Sequence, residues 1–184
     1  MSFKCSVDDV TGRIEVYRFG TFYRLTSCRY ASSLAGLDLD QGLDEFLPIT
    51  VSDAEFGAAI RRCYDATRFD DWDILSGEEA AKAETREWKK KLTLWRRKAL
   101  EITDCKNLEE LYEDVRHSSS RRTKGVYFFS NSSRRKPFGF FSIPSHFPDY
   151  REFIVNQPAS DEMLGQTARA ALDAGVRNAR PPPD

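Results

Sequence analysis

The chain has 184 residues, 40% hydrophobic and 31% charged, with a formal net charge of −1. That length and mixture suit one globular core and exclude a disordered or fibrous polymer. No apolar run reaches the roughly 18 residues that span a bilayer, and the start MSFKCSVDDVTG lacks a secretory signal's apolar stretch, so the expected compartment is the cytoplasm.

The first thirty residues read as antiparallel strands: SFKCSV, a turn at DDVTG, RIEVYRF, a Gly20-Thr21 turn and FYRLTSC. Ile14, Val16 and Arg18 alternate with Glu15, Tyr17 and Phe19, the period-two pattern of a strand. Residues 32–50, with Gly36, Gly42 and Pro48, read as loop. Ser52 then opens a helix as N-cap, with Glu55 completing a capping box and Phe56, Ile60 and Cys63 forming a buried stripe. A longer helix is expected over Gly77 to Leu100, with Trp88, Leu92, Trp95 and Ala99 on one face and lysines and arginines over much of the rest. A short helix over Leu108 to Val115 follows, then aromatic strands Val126–Ser130 and Phe138–Ile143 and a last strand, Arg151 to Val155. The expected class is α+β: antiparallel sheet with about four helices in one domain over 1–175, and a disordered proline-rich tail over 176–184.

The punctuation of the first capped helix, SDAEFGAAIRRCYDA from Ser52 to Ala66, returns as SDEMLGQTARAALDA from Ser160 to Ala174. Ser-Asp, a glycine, an arginine and Asp-Ala recur at the same offsets. A glycine inside a helix costs roughly 1 kcal/mol relative to alanine, so Gly57 and Gly165 imply that another backbone passes close by. The expectation is two similar capped helices, each docked on a sheet by a glycine notch.

The small net charge conceals strong segregation. From Asp38 to Glu79 twelve acids face three arginines, from Arg86 to Lys98 seven bases face one acid, and from Arg116 to Lys136 seven bases face none. Such polarity steers charged partners. The four cysteines form no C-x-x-C, and neither His117 nor His146 has metal-ligand spacing, so reduced thiols, no metal and no cofactor are expected. Phosphate-loop, dinucleotide and nucleophile-elbow motifs are absent, and no catalytic residue is singled out. KPFGFFSI, Lys136 to Ile143, imitates an RNA-recognition signature. Its partner strand VYFF lies only about ten residues upstream, too near for the helix and strand such a domain needs between them.

Taken in order, several stretches resemble the immunity proteins of bacterial contact-dependent growth inhibition systems. They are IEVYRFGTFY from Ile14 to Tyr23, FLPITVSDAEFGAAI from Phe46 to Ile60, LYEDVRHSS from Leu111 to Ser119, and the stretch from Phe153 to Leu172 with SDEMLG and RAAL. The resemblance implies a non-enzymatic cytoplasmic protein that binds the C-terminal toxin domain of its cognate system, commonly a nuclease, one to one, without membrane or direct nucleic-acid contact. It implies that the repeated Ser-Asp…Gly signature is scaffold. A basic nuclease cleft would attract acids, so the candidate toxin-binding residues are Asp38, Asp40, Asp44 and Glu45, then Asp70, Asp71 and Asp73 with Trp72 as an aromatic anchor. The alternative is an RNA-binding module using Arg121, Arg122, Arg134, Arg135 and Lys136 in the basic, aromatic 121–143 stretch.

Overall fold

A computed structural model describes residues 9–31, 34–70, 78–135 and 139–177. The backbone begins with β1 (Val10–Arg18) and β2 (Phe22–Ala31), the predicted hairpin, paired antiparallel from Ile14↔Ser27 to Arg18↔Tyr23. The expected loop over 32–50 instead contains two strands, β3 (Leu34–Leu37) and β4 (Asp44–Pro48), both antiparallel to β2. Its glycines and proline masked two very short strands whose only warrant is the neighbour they pair with. Helix α1 (Asp53–Asp65) carries the predicted capping box, and β5 (Arg68–Asp70) then runs parallel to β2.

After α2 (Glu78–Thr103) comes α3 (Leu108–Leu111), one turn capped by Asn107 and shorter than expected because the chain enters a strand at Arg116. That strand, β6 (Arg116–Thr123), pairs with β1 on one side and with β7 (Val126–Arg135) on the other. β8 (Gly139–Ser142) and β9 (Glu152–Asn156) are antiparallel to β7; α4 (Asp161–Asp173) follows, capped by Ser160. Val176–Arg177, expected to begin the tail, instead form β10, parallel to β7. Residues 178–184 lie outside the described ones. Among the described residues the ten strands make one sheet.

The order β-β-β-β-α-β thus occurs twice, as β1–β4, α1, β5 and as β6–β9, α4, β10, with α2 and α3 inserted between. The registers coincide as well. Arg18↔Tyr23 in the first hairpin becomes Arg122↔Tyr127 in the second, Phe22↔Pro48 becomes Val126↔Asn156, and Arg29↔Arg68 becomes Ser133↔Val176. Between the halves, Val16↔Ser118 mirrors Ile14↔Ser120. The chain is built from two copies of one unit about a pseudo-twofold axis, which passes between β1 and β6 and between α1 and α4.

The repeated signature holds that axis together. A Cβ on Gly57 would lie 1.7 Å from the Asp161 carbonyl oxygen, and one on Gly165 would lie 2.0 Å from that of Asp53. The notch therefore receives the other helix's first turn, not the sheet as expected. Arg61 Nε donates to Asp161 (2.9 Å), Nη1 to the Tyr127 hydroxyl (3.0 Å) and Nη2 to the Ala159 carbonyl (2.9 Å). Arg169 repeats this on Asp53, the Tyr23 hydroxyl and the Val51 carbonyl. Two positive helix ends meet here, and Asp53 and Asp161 offset them.

Two cores result. Ile14, Val16, Leu25, Phe129 and the buried stripes of α1 and α4 (Phe56, Ile60, Leu164, Ala168) fill one face of the sheet. Tyr17, Phe19, Phe22, Trp95, Ala99 and Tyr112 fill the other, under α2 and α3. Alternation along β1 sends successive residues to opposite cores.

Candidate partner-binding face

The two faces of the sheet differ in how well their polar groups are satisfied. On the α1/α4 face the arginine clamps are complete, and the buried Tyr64 hydroxyl bonds Ser120. Among the described residues, four buried nitrogens lack any hydrogen-bond partner: Nε1 of Trp95 and Nε of Arg96, Arg121 and Arg134. Trp95 packs in the α2/α3 core and Arg96 follows it on α2. Ser118 and Ser120 point toward α1 and α4, so alternation places Arg121 on the opposite face. Arg134 lies there too, since it alternates with Tyr127 and Phe129 of the first core. All four unpartnered donors therefore sit on the face that the inserted helices cover. An unmet buried donor costs about 1–3 kcal/mol.

The same face holds a cavity of about 330 Å³ between α2 and the sheet. Its lining includes Glu15, Tyr17, Trp95, Arg96, His117 and Phe140. The aromatic walls touch one another: Tyr17 lies 5.4 Å from Trp95, 4.7 Å from His117 and 5.9 Å from Phe140 between ring centroids. Trp88 and Leu92 reach the rim, and Trp88 is 42% exposed. The predicted apolar face of α2 is thus real, but only Trp95 and Ala99 are fully committed to the core.

At the cavity floor, His117 Nε2 lies 2.8 Å from Glu15 Oε2 and Nδ1 lies 2.9 Å from Ser132 Oγ. This serine–histidine–carboxylate order imitates a hydrolase triad. It does not have a triad's polarity, because the Ser132 hydroxyl donates to the His117 carbonyl (2.8 Å) and Ser132 is 3% exposed. The serine accepts from the ring, so no nucleophile is activated. Burial alone would raise the Glu15 carboxyl; the His117 hydrogen bond and charge, with Arg13 and Ser119, outweigh it and hold it below the ordinary range. Burial and the Glu15 charge push the Tyr17 hydroxyl well up. The group reads as a structural hydrogen-bonded cluster beneath an aromatic cavity. Among the described residues no cluster of metal-ligating side chains occurs, and no helix is long and apolar enough to cross a membrane.

Of the acids singled out from the sequence, Asp38, Asp40, Asp44 and Glu45 are all occupied, the last on the α1 side of the sheet. Asp38, 3% exposed, holds Arg68 at 2.5 Å and caps its own turn by accepting from the backbone of Asp40 and Gln41. Asp40 pairs with Lys91 of α2 at 2.5 Å, and Glu45 pairs with Arg62 at 2.5 Å. Asp44 takes the Arg24 guanidinium through two 2.7 Å bonds, with Lys98 at 3.5 Å. Arg24 is fully buried, gives Nη1 to the Trp95 carbonyl (2.7 Å) and lies 3.4 Å from the Trp95 ring centroid. The acidic segment and basic α2 therefore answer each other within the molecule. Asp70 ends β5, and Asp71, Trp72 and Asp73 lie outside the described residues. Of the basic set, Arg121 pairs with Glu152 at 3.1 Å, Arg122 pairs with Asp65 at 2.6 Å, and Arg134 donates to the Glu113 carbonyl. Arg135 ends β7, and Lys136 lies outside the described residues.

Sequence reasoning passed over β6, RHSSSRRT, because three serines and three arginines resemble a polar loop. Ser118 and Ser120 are buried only because small hydroxyls fit under α1 and bond across the sheet. The signal that was available is the repeat itself, since a second capped helix calls for a second β1–β2 hairpin ahead of it.

A protein family described as CDI immunity protein matches residues 12–175 of the chain. No curated protein sequence matches it. Among solved structures, a Neisseria meningitidis protein of unknown function superimposes with a TM-score of 0.76 at 14% identity, covering 95% of this chain and 99% of that one. A toxin and immunity complex, CdiA-CT/CdiI, from Yersinia pseudotuberculosis matches with a TM-score of 0.69 at 17% identity, covering 89% and 97%.

Proposed function

Since the chain belongs to the CDI immunity protein family, we propose that it neutralises the toxin domain of its cognate growth-inhibition protein by forming a one-to-one complex in the cytoplasm. No turnover is involved: the triad-like group under α2 lacks an activated nucleophile. The toxin is a nuclease, which needs a basic cleft, and the partly exposed acid Asp40, paired with Lys91 of α2, steers it.

The observation that carries the location of the interface is the one-sided distribution of unmet polar groups. The duplicated halves satisfy each other through α1 and α4, whereas the inserted α2–α3 segment leaves a 330 Å³ cavity lined by two of the unmet donors, those of Trp95 and Arg96. A scaffold has no need of such a gap, and a binding partner that enters it removes the penalty. Trp88 of α2, 42% exposed, extends the apolar rim of the same cavity.

The test is co-expression with the toxin domain encoded beside this chain. Growth rescue and a co-purifying one-to-one complex are expected. Ser142, exposed at the cavity mouth, is then changed to Trp. The fold should survive and the affinity should fall at least about 100-fold, as for an interface centre. Rescue without any complex refutes neutralisation by binding; full affinity in Ser142→Trp moves the interface elsewhere.

A further inference from the structure

The pseudo-twofold makes one comparison possible inside the molecule. In the first half, β1 and β5 meet end to end against β2, and Thr67 seals the joint: its hydroxyl accepts from the Arg13 N–H (3.0 Å) and donates to the Arg13 carbonyl (3.0 Å). In the second half, β6 and β10 meet in the same way against β7. Gly175 stands where Thr67 stood, and Arg116 stands where Gly12 stood. This joint is open. It forms a pocket of about 190 Å³ lined by Arg18, Asp114, Arg116, His117, Arg134 and Gly175, among others.

Three guanidiniums thus border one small pocket. Arg18 Nη1 holds Asp173 at 2.5 Å, Arg116 Nη1 donates to the Gly175 carbonyl at 2.5 Å, and Arg134 Nη1 donates to the Glu113 carbonyl. Arg134 Nε is buried and has no partner among the described residues. Asp114 lines the pocket beside them, and Asp173 lies on its Arg18 side. The unmet Arg134 donor, in a pocket bordered by three guanidiniums, calls for an anionic acceptor. Val115, Val176 and Phe140 supply apolar walls, which suit a side chain bearing a carboxylate better than a hydrated nucleic-acid backbone. Guanidinium forks match a planar carboxylate.

We infer that this joint is a carboxylate-recognition pocket that receives an aspartate or glutamate side chain of the toxin domain. The inference rests on the proposed immunity function for its partner, but the pocket's chemistry belongs to the free chain. It adds a specificity contact beside the cavity under α2, with which it shares His117 and Phe140.

The experiment has two arms. In the free chain, acetate is titrated against chloride at constant ionic strength while amide shifts of residues 114–117 and 175–176 are followed by NMR. Saturable shifts are expected, lost in Arg134→Met and partly kept in Arg134→Lys, which retains the charge without the fork. In the complex, Arg134→Met should weaken toxin binding about 10- to 100-fold, as for a lost charge-assisted hydrogen bond. Circular dichroism checks that both variants fold, and Arg116→Met serves if Arg134→Met does not. Acetate shifts that are absent, or equal in all variants, overturn the pocket. Acetate binding with unchanged toxin affinity overturns the toxin carboxylate as occupant. A short RNA that displaces acetate overturns it in favour of phosphate. A wild-type chain that binds no toxin defeats the immunity reading, while the acetate arm still decides the pocket.

Discussion

Replacing Gly57 by alanine opposes two effects of different sign, and the structure says which dominates. Helix propensity favours alanine by roughly 1 kcal/mol in a helix interior. The added methyl, however, would sit 1.7 Å from the Asp161 carbonyl oxygen and 2.5 Å from its carbon. These are backbone atoms of a capped first turn, with no rotamer by which to escape. Restoring ordinary contact requires the helices to part by roughly 1.5–2 Å. That separation stretches both arginine clamps, whose Nε–carboxylate bonds are 2.9 and 2.7 Å. Overpacking of this kind costs about 1–3 kcal/mol and occasionally more; with the upper end of that range and the propensity gain subtracted, Gly57→Ala should destabilise by about 2 kcal/mol net. Gly165→Ala, with 2.0 Å to the Asp53 carbonyl oxygen, should do nearly the same. The two share one cause, so the double variant should cost less than their sum. Urea unfolding followed by circular dichroism measures all three. A neutral or stabilised Gly57→Ala, the result that propensity alone predicts, would falsify the reciprocal notch.

The remaining predictions concern the other face. Asp44→Asn strips the buried Arg24 of its carboxylate and should cost roughly 3 kcal/mol, whereas Asp40→Asn, in a pair exposed at 44% on the acid's side and 30% on that of Lys91, should cost less than about 1 kcal/mol; equal costs by calorimetry would contradict the distinction. The Glu15 carboxyl is held below its ordinary 4.5 in the fold, so the stability it contributes is full above that value and is lost as pH falls through the lower, folded one. Glu15→Gln should therefore lower stability at neutral pH and flatten the acid limb of the stability–pH curve; an unchanged limb would remove Glu15 from the account. Trp95→Ala should cost about 3–5 kcal/mol while Trp88→Ala stays within about 0.5 kcal/mol and loses toxin affinity instead, which thermal unfolding and titration calorimetry separate.

What could be read without coordinates was local: the β1–β2 hairpin from its alternation, α1 and α4 from their caps, α2 from its apolar stripe, and the α+β class from their sum. The family resemblance rested on the order of such stretches and agrees with the family match over residues 12–175. The repeated Ser-Asp…Gly…Arg signature was also legible as an oddity, since glycine in a helix needs a reason. Its meaning was not legible. Gly57 and Arg61 both answer Asp161, across about a hundred residues of chain, and no local pattern encodes a contact between segments that distant. The short strands β3, β5 and β10 exist only because β2 and β7 offer them hydrogen bonds. The acids of residues 38–45 looked like free charge in the sequence, because composition counts charges and does not pair them. Folding brings Asp40 to Lys91 and Asp44 to Arg24, and the unmet donors appear instead on the side of the sheet that carries the inserted helices. Local propensity and capping therefore belong to the sequence by itself. Which charges are satisfied, and which donors are left unmet, depends on long-range pairing and is decided by the tertiary structure.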